Sequence, residues 1–235
     1  MINKEYKLSV LIPCYNDENS IKKVLNSLIN QKYIPDQIII ADDCSSDKTV
    51  EIIKKFILAN SDINLQLIQN KKNLGIFNNL KTNINKLEND IIFLGSANDI
   101  VYYDFFYDAV SAFNKNNNIK LFFGGFETKI GEKTIYTKLL KNFHRPFVIK
   151  SKNYLKYILL NNEIGVSFSP STVYLKETLL KNYFIENLYS YHDTFTNNII
   201  GLKYDTFYSP KIYSSWEYSP LSYSQKGTFK KILIY

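Results

Sequence analysis

The stretch LSVLIPCYN, residues 8–16, is an apolar run rich in branched side chains that Pro13 stops ahead of a polar loop. A short apolar run without alternation, ended by turn residues, predicts a strand buried on both faces. The period then changes. Ile21, Val24, Leu25, Leu28 and Ile29 recur at helical spacing and predict an amphipathic helix over 18–31. The same unit repeats: QIIIADD (37–43) is a second buried strand, and Asp47 can cap a helix over 48–59 whose apolar face holds Val50, Ile53 and Phe56 or Ile57. LQLIQN (65–70) is a third strand, Phe77, Leu80, Ile84 and Leu87 mark a third helix, and DIIFLGS (90–96) is a fourth strand. Strands alternating with helices need right-handed crossovers, which give an α/β fold with a mostly parallel sheet covered on both faces.

Such sheets bind ligands outside the carboxyl ends of their strands. Here those ends are 13–18, 42–47, 70–75 and 96–99, the four places where the first half turns polar. Beyond residue 115 the pattern weakens. KLFFGGFET (120–128) reads as a strand, 129–165 is mixed, and 176–190 reads as helix followed by loop. Phe195, Ile199 and Ile200 give a short helical pattern from Asp193, closed by Gly201. The tail GTFKKILIY (227–235) alternates basic and apolar residues, as a plain terminal element or a membrane-surface anchor would.

Composition narrows the classes. With 235 residues, 45% hydrophobic and 15% aromatic, the chain can bury the core of one domain, which excludes a disordered binder. Its apolar runs fall far short of the roughly 20 residues that span a bilayer, and MINKEYKLSV has no signal-peptide pattern. The expectation is therefore a cytoplasmic protein, with room for peripheral attachment to the inner face of the cell membrane. Cys14 and Cys44 cannot make a disulfide framework, and His144 and His192 lack zinc-ligand spacing. The net charge of +7 comes almost wholly from scattered lysines, Arg145 being the lone arginine. That suits a solvated surface or one biased toward anionic membranes or substrates; nucleic acid, which favours clustered arginine, is the weakest partner.

Asp42 and Asp43, in ADDCSSD, can accept hydrogen bonds from a ribose or a base imide, or can simply shape a turn ahead of a helix. The stretch PCYNDEN, after the first strand, contains no glycine, which argues against a dinucleotide-binding turn. The same stretch lacks the glycine-rich, arginine-bearing loop of a nucleotidyltransferase.

Four segments in order, SVLIPCYNDENSIKKVLNSLINQ, IIIADDCSSDKTVEII, NKKNLGIFNNL and IIFLGSANDIVYYDFF, resemble the nucleotide-sugar-binding half of family 2 glycosyltransferases, which have the GT-A fold. LYSYHDTFTNNIIGLKYDTFYSPKIYSS is similar to the family's acceptor-side segment. The resemblance implies a donor-binding half over 1–113 and an acceptor-binding half over 114–235, tail included. It implies that Pro13, Tyr15 and Asn16 lie against the base and ribose, that Asp43 accepts the imide proton, and that Asn73 and Gly75 hold the loop beside the nucleotide. It places Asp193 where the family keeps its catalytic base; read alone, Asp193 is also a good helix N-cap. The implied reaction is inverting transfer of a sugar from a nucleoside diphosphate donor to a glycan or lipid-linked glycan acceptor in bacterial surface polysaccharide synthesis. Mg2+ or Mn2+ is the family's usual helper.

The turn SAND (96–99) departs from the family pattern of Asp-Xaa-Asp-Asp. Ser96 stands at the ribose-contacting carboxylate, Ala97 keeps the spacing, and Asn98 stands at the principal metal ligand; Asp99 alone stays acidic. Serine can still bond a ribose hydroxyl, and an asparagine carbonyl is a hard oxygen ligand, so what is lost is charge. Three readings follow: a weak or substrate-completed metal site at Asn98 and Asp99, lysines in place of metal, or an impaired homologue that only binds. Tyr189, Tyr191, Trp216, Tyr218 and Tyr223 could stack on sugar rings, and His192, His144 and Arg145 could face donor or acceptor, or all could pack structurally.

Overall fold

A computed structural model describes residues 5–137, 140–160, 169–183 and 192–217. The first half is built from β1 (Leu8–Cys14), α1 (Ile21–Ile29), β2 (Gln37–Asp42), α2 (Thr49–Ala59), β3 (Leu65–Gln69), α3 (Ile76–Asn83) and β4 (Ile91–Leu94). After it come β5 (Asp99–Val101), α4 (Phe105–Lys115), β6 (Leu121–Ile130), β7 (Lys133–Thr137), β8 (Phe147–Ile149) and α5 (Ser151–Leu160). β9 (Thr172–Leu175), α6 (Lys176–Asn182), α7 (His192–Lys203) and β10 (Thr206–Glu217) follow, and short 3-10 turns stand at Ile84–Lys86 and Ser169–Ser171.

The strands form one mixed sheet in the order β3-β2-β1-β4-β9-β6-β10-β5, with β7 on β6 and β8 on β10. The β3-β2-β1-β4 block is parallel, with Val10 opposite Ile38 and Phe93. β9 runs antiparallel between β4 and β6, so strands from both halves share the sheet. β1 and β2 are buried at every residue, which explains why their sequences do not alternate.

Each face of the sheet carries its own core. On one, Leu8, Val10 and Ile12 meet the apolar sides of α1, α2 and α4, where Phe93, Phe105 and Phe106 pack ring to ring at 5.0–5.4 Å. On the other, Leu11 and Ile39 meet Leu80 of α3, Tyr154 of α5, Leu179 of α6 and Ile200 of α7. Removal of this much apolar surface from water is the main term holding the layers together.

Two expectations are corrected in detail. The first helix begins at Ile21, because Asp17 to Ser20 form a turn in which the Ile21 N–H reaches the Asp17 carbonyl at 2.9 Å. Gly201 does not close the last helix, which continues to Lys203. Instead Gly201 lets α5 approach: a Cβ there would lie 2.2 Å from the ring of Tyr154, which is fully buried. Gly201→Ala is therefore expected to destabilise the protein by about 1–3 kcal/mol through overpacking; a thermal melt matching the wild type would show that the ring yields freely.

Candidate active site

β1, β2, β3 and β4 are parallel, so their carboxyl ends converge on one edge of the sheet. At the end of β2 the two aspartates part. Asp42 Oδ2 accepts the Ser45 N–H at 3.1 Å and its Oδ1 lies 3.7 Å from the Cys14 thiol, so it shapes the turn. Burial, followed by the charges of Asp42 and Asp17, pushes the Cys14 thiol far up, which removes it as a nucleophile.

Asp43 serves the loop after β3. Its Oδ1 accepts the Leu74 N–H and the Asn70 side-chain amide, both at 2.9 Å, and its Oδ2 accepts the Gly75 N–H at 2.8 Å. A carboxylate has about four acceptor positions, so one on Oδ2 remains. Gly75 has φ 76° and ψ 155°, a region essentially restricted to glycine, and its N–H also reaches Asn73 Oδ1 at 2.9 Å. Asn70 is steadied by Asn79, which accepts from Asn70 (3.1 Å) and Asn83 (2.8 Å) and donates to the Ala41 carbonyl (2.8 Å).

The first and second loops are laced together. Asn16 and Cys44 both hold left-handed backbones, φ 56° and 66°. The Asn16 N–H donates to Ser45 Oγ at 2.9 Å, and the Asn16 side-chain oxygen accepts the Ser46 N–H at 2.8 Å. The N-cap of α2 is Lys48 rather than Asp47, but Asp47 Oδ1 accepts the Thr49 N–H at 2.9 Å from one residue further out, while its Oδ2 accepts from the Glu18 N–H of the first loop at 3.1 Å. Pro13 is buried opposite Ala41, and next to this frame Tyr15 is 48% exposed, a large aromatic of the kind that stacks on a base.

In the SAND turn the Ser96 hydroxyl donates to Asn98 Oδ1 at 2.5 Å, and Ala97 is buried beneath them. Asp99 opens β5, opposite Trp216 of β10. Its carboxyl is buried and, among the described residues, Oδ1 has no hydrogen-bond partner. Burial first, and then the charge of Asp193, push its pKa up to about 7. Asn98 and Asp99 thus offer hard oxygens, one neutral and one titrating near neutrality, of the type a divalent cation takes. Among the described residues, no group of three or more His, Cys, Asp and Glu is placed to hold a metal, so a cation here would draw remaining ligands from substrate and water.

Asp193 comes to the same edge from the second half. It sits inside the first turn of α7, which already begins at His192, so the N-cap alternative is not realised. Its Oδ1 accepts the Tyr183 hydroxyl at 2.9 Å. The His192 ring stacks on Phe77 of α3 with centroids 4.7 Å apart, joining the Asp193 turn to the helix that Gly75 starts. Burial lowers the His192 pKa, opposed by the Tyr183 backbone and by Asp193, which favours the neutral ring.

The fold therefore gathers residues from 13–16, 43, 73–75, 96–99 and 193. His144 and Arg145 are exposed on the loop before β8. Tyr189, Tyr191, Tyr218, Tyr223 and the 227–235 tail lie outside the described residues. Sequence reasoning passed over Asn70, Asn79, Phe77 and Tyr183. Asn79 and Asn83 carried a usable signal: asparagine is a poor helix former, yet two stand four apart on the buried face of α3.

Known proteins were then compared. Escherichia coli WfgD, a UDP-Glc:alpha-D-GlcNAc-diphosphoundecaprenol beta-1,3-glucosyltransferase, is 28% identical over 189 residues, covering 68% of this chain and 73% of that protein. Staphylococcus aureus TarS, a poly(ribitol-phosphate) beta-N-acetylglucosaminyltransferase, is 26% identical over 193 residues, 80% of this chain but 31% of TarS, so the chain spans about a third of that relative. The crystal structure of TarS 1–349 with UDP-GlcNAc superposes with a TM-score of 0.75 at 21% identity, covering 94% of this chain and 61% of that one. The mannosyltransferase PcManGT from Pyrobaculum calidifontis, with GDP-Man and Mn2+, gives 0.66 at 14% identity, covering 92% and 57%. These likenesses establish the GT-A fold. The sequence model described as Glycosyl transferase family 2 matches residues 9–181, and on that match over most of its length the chain belongs to glycosyl transferase family 2.

Proposed function

We propose that this chain transfers a sugar, with inversion, from a nucleoside diphosphate donor to a hydroxyl of a glycan or lipid-linked glycan in bacterial surface polysaccharide synthesis. The observation that carries the reading is the clasp of Asp43 on the Leu74 and Gly75 N–H groups at the carboxyl end of β2, which leaves one acceptor position for a base. Residues 1–113 would bind the donor and 114–235 the acceptor, across one shared sheet. The activities of WfgD and TarS support the class of reaction.

In this reading Tyr15 and Asn16, just past the buried Pro13, lie against the donor base and ribose, with the base's ring N–H on the remaining acceptor position of Asp43. Uridine, thymidine and guanosine carry such an N–H; cytidine does not. Ser96, Ala97 and Asn98 then line the ribose and diphosphate, and Asn73 and Gly75 fix the loop beside them. Asp193 takes the proton of the acceptor hydroxyl as that oxygen attacks the anomeric carbon. The bond from that carbon to the diphosphate breaks on the opposite face, and its electron pair leaves with the nucleoside diphosphate. Asn98 and Asp99, with the donor phosphates, would hold Mg2+ or Mn2+, which would supply positive charge to the leaving group. Among the described residues no helix is long and apolar enough to cross a membrane, and a lysine-rich surface of net charge +7 suits peripheral association with anionic lipid.

Titration with UDP, GDP, dTDP and CMP, with and without Mn2+, tests the donor side. One of the first three is expected to bind, more tightly with Mn2+, and CMP is expected not to. Asp43→Asn should weaken that binding about 10–100-fold by removing a charged acceptor; unchanged affinity would place the base elsewhere. Ser96 and Asn98, in place of acids, favour a second reading, a homologue that binds without transfer. Sugar transfer by the purified chain would dismiss it.

A further inference from the structure

Tyr183 is the last residue of the α6 cap, and its backbone N–H closes on the Leu179 carbonyl at 2.9 Å. It is buried, and both residues of the α7 entry turn meet it. Asp193 Oδ1 accepts its hydroxyl at 2.9 Å. The His192 ring also tilts against the Tyr183 ring at 6.0 Å while stacking on Phe77. The rest of α7 is anchored to the same place: Thr196 Oγ1 donates to the Asn182 carbonyl at 3.5 Å, and Lys203 Nζ to Asn182 Oδ1 at 3.3 Å. With Oδ1 bound to a hydroxyl fixed in the core, rotation of the Asp193 carboxyl group is restricted.

We propose that Tyr183 is the positioning residue for this active site, holding the Asp193 carboxylate through Oδ1 in the orientation in which it takes the acceptor proton. This rests on the reading of Asp193 as the base. Tyr183 does not touch substrate; it acts through Asp193. Burial and the neighbouring Asp193 charge raise the Tyr183 pKa well above its ordinary value, which keeps the phenol a donor at any working pH. A base held in one orientation loses no rate to unproductive rotamers, and misplacement by a fraction of a bond length is costly in proton transfer.

The test is Tyr183→Phe, which deletes one oxygen and keeps the ring, set beside Asp193→Asn and wild type in the full chain. The reaction followed is nucleotide release from UDP-N-acetylglucosamine, UDP-glucose and GDP-mannose with water as acceptor, using whichever donor the wild type turns over. Tyr183→Phe should lower kcat about tenfold with donor KM, nucleotide affinity and melting temperature close to wild type. Loss of kcat together with donor affinity and melting temperature would make Tyr183 a structural residue and overturn the proposal. An Asp193→Asn protein that is inactive beside a Tyr183→Phe protein of wild-type kcat would overturn it while leaving the base reading intact. Wild-type rate in Asp193→Asn would instead bring down the base reading itself.

Discussion

Replacing Asp193 with asparagine is expected to lower the rate of sugar transfer by about 10²–10⁴-fold, the range lost with a general base, while nucleotide affinity stays within about twofold of wild type. The amide has the same shape as the carboxylate, and its oxygen can still accept the Tyr183 hydroxyl, which lies 2.9 Å from Asp193 Oδ1. The turn that carries it is held independently by the stack of His192 on Phe77. What the substitution removes is the ability to accept a proton. Asp43, Gly75 and Tyr15, which would hold the nucleotide, belong to other loops, so binding and chemistry should separate. Initial rates together with nucleotide titration check both halves; a rate near wild type would remove Asp193 from the mechanism.

The second large effect is on stability. Asp99 has a folded-state pKa of about 7 against roughly 3.9 for an unfolded aspartate. The folded protein therefore holds this proton more tightly than the unfolded chain does. The stability this contributes is fully present below about pH 4 and is lost as pH rises through about 7. At about 1.4 kcal/mol per pKa unit, the loss is on the order of 2–4 kcal/mol. Asp99→Asn is neutral at every pH and cannot suffer it. In metal-free buffer the variant should be more stable than wild type at pH 8 by that order, and the difference should shrink toward zero near pH 4. Urea unfolding at the two pH values measures it. A constant difference between the proteins would mean that Asp99 is not held in an unfavourable charged state.

The parallel block was legible because its chemistry is local. Runs such as LSVLI and QIII are buried on both faces, and the helices between them keep a 3.6-residue period, so order and type follow without knowledge of contacts. The boundaries were less legible: the Asp17–Ser20 turn uses residues that also suit a helix start. Gly201 misled because a glycine after a helical pattern usually caps it, whereas here the deciding fact is a ring from α5 about 45 residues away in sequence. At the site, Asp43 and Asp193 stood out only through the family resemblance; read alone they were a turn residue and a helix cap. Tyr183 did not, because a tyrosine after an amphipathic helix is ordinary until a fold brings it to a carboxylate. From the residues alone the split roles of Asp42 and Asp43 were likewise invisible, since two identical side chains stand side by side and the strand register turns them to different partners.

Proton NMR of the anomeric signals during the first turnovers tests the central claim most directly. UDP-N-acetylglucosamine, UDP-glucose and GDP-mannose, all α-linked, would be offered with water as acceptor and read before the free sugar equilibrates. Inverting transfer with Asp193 as base predicts that the β-anomer appears first. An α-anomer appearing first, or no sugar released from any donor, would contradict it.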